Sequence, residues 1–112
     1  MKPFRTNVQL GNPCDPSVPA LVERATVDAD SMHFRIPERV ARRLGLGVAG
    51  QRGITDADGS RRPVPYVGPV EVRYMGRQCY AGAIVLGDEV MLGLLALEEM
   101  DLMEPIRMRA LK

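Results

Sequence analysis

Two aspartates one residue apart, in Asp28-Ala29-Asp30, follow the apolar alternation that ends at Val27, and the single histidine, His33, lies a few positions further on. Carboxylates held close together share protons, so that one acts as base while its neighbour acts as acid, which is what activating water against an amide requires. Oxygen pairs also suit Mg²⁺ or Ca²⁺, but two carboxylates are too few to specify a cation, and solvated turn aspartates are the commoner case. His33 invites a proton-transfer role, yet spacing alone does not put its ring in a cleft, so a surface position is expected. A second tripeptide of the same letters, Asp56-Ala57-Asp58, runs into Gly59; it opens like a calcium loop, lacks the later ligands, and reads as a turn. No metal site and no cofactor is expected.

These residues need elements to hold them. Phe4 to Leu10 and Leu21 to Val27 alternate apolar and polar residues on either side of turn formers at Gly11 to Pro16, and read as a hairpin with a long loop that leads directly to Asp28. Ile36-Pro37 opens a short helix, because proline is already set to a helical φ and lacks only a donor that the first turn leaves unpaired. Val40, Ala41 and Leu44 share its apolar face, Arg42 and Arg43 suit its C-terminal end, and Gly45 stops it. Ile54 to Pro65 reads as a hairpin with short arms around Asp58-Gly59, an edge or flap because Pro63 and Pro65 limit its ladder. Val67 to Tyr74 and Gln78 to Leu86 form another hairpin across Met75-Gly76-Arg77. Val90 to Leu92 follows, with Gly93 where backbone passes close to backbone. Leu94 to Met100 reads as an amphipathic helix and Pro105 to Leu111 as a last strand. The sum is an all-β domain of six or seven short strands with one or two short helices, in one unit spanning 1–112.

Composition narrows the partners. Fifteen basic and fourteen acidic side chains leave a formal charge of +1, which argues against a surface that tracks nucleic-acid phosphates. No apolar run reaches the roughly 20 residues needed to span a bilayer, and the N-terminus lacks signal-peptide order, so a soluble cytoplasmic protein without a membrane partner is expected. Cys14 and Cys79 have no metal-type spacing and are expected reduced. Met91, Met100 and Met103 are expected to fill the core around the last helix.

The order and spacing of these pieces resemble a retroviral-like, single-domain aspartic protease of the bacterial kind. The likeness covers nearly the whole chain: the hairpin into Val27-Asp28, Ile36-Pro37 through Leu44-Gly45-Leu46, the Asp58-Gly59 hairpin, and Val90 to Gly93 with its helix. It implies a closed β-barrel that is half of an acid protease, a homodimer with one carboxylate from each chain at a twofold axis, and a peptide or protein substrate. It puts Asp28 in the catalytic position, Ala29 and Asp30 in the active-site turn, and Asp58 and Gly59 in a flap over the substrate. It also implies that dimerisation buries the terminal strands. In that family the turn reads Asp-Thr-Gly or Asp-Ser-Gly, so two of the three positions differ here. Ala29 lacks the hydroxyl that ties the paired turns together, and Asp30 adds a β-carbon and a charge where a glycine N–H approaches the carboxylates. Both changes imply impaired catalysis, since positioning errors on the order of 1 Å are costly.

Two other functions stay open. A dimer without turnover would keep the cleft and flap to bind an extended peptide by strand addition. The segment Phe34 to Val40, with Leu44-Gly45-Leu46, is also similar to the strand-Pro-helix piece of swapped-hairpin DNA-binding antitoxins, although the balanced charge and the long β-rich remainder do not suit that reading.

Overall fold

Apolar residues at every second position drive the first hairpin. In β1 (Phe4–Gly11) Val8 and Leu10 are buried, and in β2 (Leu21–Val27) Ala25 and Val27 are buried, with their neighbours turned outward. The two strands pair antiparallel from Phe4↔Val27 to Leu10↔Leu21. The computed structural model describes residues 2–110.

The remaining elements are β3 (Arg35–Ile36), α1 (Glu38–Arg43), β4 (Val48–Thr55), β5 (Arg61–Tyr74), β6 (Arg77–Val85), β7 (Val90–Leu92), α2 (Leu94–Glu99) and α3 (Met103–Ala110). The sheet runs β1-β2-β7-β3-β6-β5-β4, and β1 also pairs with β5 through Gln9↔Arg73 to Gly11↔Glu71. Six strands therefore close into a barrel, and β4 extends from β5 as the outer arm of a hairpin. The expected all-β closed barrel is borne out, with three short helices in place of one or two.

The barrel core is one cluster of aliphatic side chains, with Leu10, Val27, Ile36, Leu44, Leu92, Leu97 and Ile106 all sealed from solvent. Helix α1 reaches it through Val40, Ala41 and Leu44, as its spacing predicts, and leaves Glu38, Arg39, Arg42 and Arg43 exposed. Pro37 sits at its N-cap position in extended backbone. At the other end Gly45 takes φ +62 while its N–H donates to the Arg42 carbonyl and the Leu46 N–H to the Ala41 carbonyl, the double bond of a Schellman stop. Asn12 closes the same end from the distant first loop, its Nδ2 donating to the Leu44 carbonyl at 2.8 Å and the Gly45 carbonyl at 3.3 Å.

Two expectations fail. The strand expected from Pro105 is helix α3 through Ala110, and Leu111 lies outside the described residues. Ile106, Met108 and Ala110 alternate as in a strand, but Met103, Ile106 and Ala110 also recur at helical spacing, and Pro105 falls in the first helical turn, where its missing donor costs nothing. Arg77 also holds the chain just before this helix, donating to the carbonyls of Met100 at 3.2 Å and Asp101 at 2.6 Å. With 103–110 helical, the expected C-terminal strand is absent among the described residues, while β1 pairs with β2 along its length and with β5 only from Gln9 to Gly11. The hairpin arms are also longer than expected, pairing from Thr55↔Arg61 back to Val48↔Val67. Pro63 and Pro65 share a parity, so both turn their missing donor to the side where no strand pairs with them, and the ladder continues.

Candidate functional site

Asp28 stands at the tip of β2, where the parallel partner β7 ends at Leu92. Its N–H donates to the Leu92 carbonyl at 3.0 Å, its carbonyl accepts from the Ser31 N–H at 3.2 Å, and its Oδ1 accepts from the Asp30 N–H at 2.9 Å. The turn is thus set by backbone bonds plus one carboxylate oxygen, leaving Oδ2 for another partner. Asp28 is half-buried, Ala29 packs against the core, and Asp30 is exposed. The N–H at position 30 reaches the Asp28 carboxylate in spite of the aspartate side chain.

Strand β7 lies between β2 and β3, parallel to the first and antiparallel to the second, so the chain from Asp28 to Phe34 loops around the end of β7. Gly93 fills that junction. A Cβ there would stand 2.5 Å from the Ser31 carbonyl oxygen and 2.6 Å from that of His33, so the close backbone approach expected at Gly93 is present. Helix α2 has no side-chain cap; instead the Leu94 N–H donates to the Ser31 carbonyl at 2.7 Å and the Leu95 N–H to the Met32 carbonyl at 3.2 Å. The loop carrying the Asp28 turn and the start of α2 therefore satisfy each other's backbone groups.

The β4–β5 hairpin supplies the opposite wall. Gly59 takes φ +87 and donates its N–H to the Asp56 carbonyl at 2.9 Å, the positive φ its dipeptide predicts. Asp58 accepts at Oδ1 from the Ser60 hydroxyl at 2.6 Å and the Ser60 N–H at 2.9 Å, and these bonds hold its carboxyl below the ordinary carboxylate value. Asp58 therefore braces the turn from within. Asp56 pairs with Arg62 at 3.0 Å across the same turn. At the base of the hairpin the Arg52 guanidinium lies 3.8 Å over the Tyr66 ring, which in turn covers Gly82 of β6.

Between the two walls is a cavity of about 470 Å³, lined by Ser31, His33 and Arg35 on one side, Ile54 to Ala57 and Arg62 on the hairpin, and Ile84 and Leu86 at its floor. A second hollow, of about 420 Å³, continues past His33 to Arg52, Tyr66, Tyr80 and Leu95. His33 is exposed, as expected, and borders both. Arg35 was not singled out by sequence reasoning. Its signal was present, a charged residue between Phe34 and Ile36, both of which point into the core.

Other candidates are accounted for locally. Arg39 pairs with Glu23 at 2.8 Å and Arg42 with Glu38 at 2.6 Å. Strand β3, the strand of the antitoxin-like segment, is paired on both sides within the barrel. Met100 is buried and Met103 packs on the core, whereas Met91 turns its sulfur to Arg35. Cys14 is exposed and Cys79 buried, both unpaired, and burial followed by the Glu99 charge pushes the Cys79 thiol up to about 11. Among the described residues no helix is long and apolar enough to cross a membrane.

No family model matches this chain, and no curated protein matches it either.

Proposed function

We propose that the domain is one half of a symmetric homodimer of the retroviral-like aspartic peptidase lineage, which takes an extended peptide between the β4–β5 hairpin and the Asp28 turn. The observation that carries this reading is the setting of Asp28: a half-buried carboxylate at a strand tip, held by the Asp30 N–H and three residues before Ser31, where the cavity walled by the hairpin begins. Two such tips meeting on a twofold axis would give a carboxylate pair able to share one proton, base toward water and acid toward the scissile carbonyl. The change that weakens catalysis is Ala29, which has no hydroxyl to tie one turn to its mate. Asp30 still supplies the backbone donor, but adds an exposed charge beside the axis that disfavours close approach. Turnover is therefore slow. A cytoplasmic setting belongs to the same proposal, supported by two unpaired cysteines, one of them exposed.

The test combines sedimentation with cleavage of a quenched-fluorescence decapeptide library from about pH 3 to 7, the range of a carboxylate pair. A dimer whose slow turnover disappears in Asp28→Asn and rises in Ala29→Thr with Asp30→Gly is the expected result. A monomer at all concentrations, or turnover indifferent to Asp28→Asn, would overturn it. Ala29 favours one variation, a dimer that binds peptide without cutting; silence of the double variant alongside retained binding would assign that function.

A further inference from the structure

Arg35 makes no ion pair among the described residues, although it sits half-buried in the wall of the cleft. Its Nη2 lies 2.8 Å from the Met91 Sδ, a thioether that is only a weak acceptor for one of five guanidinium donors. Phe34 and Ile36 on either side of it are buried in the core, so strand alternation turns Arg35 to the opposite face, into the cavity of about 470 Å³ beneath the hairpin. The other charges on that cavity cancel, because Arg62 and Asp56 hold each other at 3.0 Å. Ile84 and Leu86 form an aliphatic floor, and the remaining polar groups on the lining are Ser31, His33 and Thr55. A cationic fork with unused donors on the wall of that cavity is matched by a carboxylate, which a guanidinium binds through two parallel hydrogen bonds.

We infer that the cleft selects an acidic side chain of the bound peptide, with Arg35 holding its carboxylate. The inference rests on the peptide-binding reading above and adds the chemistry of the ligand to it. An extended chain laid along the hairpin points every second side chain toward β3, so one Asp or Glu at a single position is sufficient.

Fluorescence anisotropy of the intact protein with two C-terminally amidated decapeptide libraries tests this, one carrying a fixed central Glu and the other Gln at the same place. The Glu library is expected to bind about tenfold to a hundredfold more tightly, the range for a hydrogen-bonded charge pair. Arg35→Gln should remove the preference, and Arg35→Lys should keep part of it because the charge remains without the fork; thermal melts of both establish that they fold. Equal binding of the two libraries by the wild type would overturn the acidic preference while leaving the peptide cleft standing. A preference that persists in folded Arg35→Gln would overturn the role of Arg35. Tighter binding of a free C-terminus than of the internal Glu would overturn the side-chain assignment. Binding of neither library would remove the peptide reading together with this one.

Discussion

Gly93→Ala isolates the junction on which the Asp28 turn depends. Gly93 has φ −94 and ψ −173, extended backbone open to any residue, so its requirement for glycine is one of space alone. An added Cβ meets the Ser31 carbonyl oxygen at 2.5 Å, the His33 carbonyl oxygen at 2.6 Å and the Met32 carbonyl carbon at 2.8 Å, all of them backbone atoms that cannot swing aside. Restoring ordinary contact at 3.4 Å moves the Ser31 carbonyl by about 0.9 Å. That shift lengthens the bonds from Leu94 and Leu95 that cap α2. Overpacking of this kind costs about 1–3 kcal/mol, which for a domain of this size lowers the melting temperature by roughly 4–12 °C. Thermal unfolding measures the first quantity, and amide hydrogen exchange at Leu94 and Leu95 measures the second, with faster exchange expected at both. Under the proposed peptidase function, a displacement near 1 Å in the loop would also cut turnover by about a hundredfold. A variant that melts within about 1 °C of the wild type, with both amides exchanging as before, would refute the reasoning.

Three further outcomes follow from single contacts. Asn12→Ala removes the bonds to the Leu44 and Gly45 carbonyls and should cost about 1 kcal/mol in urea unfolding; no change would mean that solvent caps α1 equally well. Leu97→Ala, at a fully sealed position, should cost about 2–5 kcal/mol in the same measurement. A thiol reagent at neutral pH should modify Cys14 promptly and Cys79 only on unfolding, since one is exposed and the other buried. The folded Cys79 thiol keeps its proton to about 11 against an ordinary value of 9.0, so its contribution to stability is intact below pH 9.0 and is lost as pH rises toward 11. Cys79→Ala should flatten the stability profile over that window relative to the wild type.

The legible parts of the fold were those set by residues near in sequence. Strand β2, helix α1 with its glycine stop, the Asp58-Gly59 turn and the start of α2 each follow from side-chain period or from a residue of restricted φ, and each lies where expected. The hairpin arms run longer than their prolines suggest, because the parity shared by Pro63 and Pro65 matters only where their outer side has no partner. The apolar spacing of segment 103–110 suits two periods, and the choice falls to Ile106, which reaches the sealed core from a helix.

For the site, the letters alone identified Asp28 as a carboxylate at a strand tip and Gly93 as a place of close backbone approach, since both depend on what a few adjacent residues can do. They could not show that the loop after Asp28 wraps the end of β7, that Asp30 faces outward while its N–H turns in, or that Arg35 borders a cleft whose other wall is the β4–β5 hairpin. Those facts arise from pairings between strands far apart in the chain, as when β7 lies parallel to β2 and antiparallel to β3. Alternation tells which residues share a face of a strand; closure of the barrel determines which of those faces look into the core and which into the cleft.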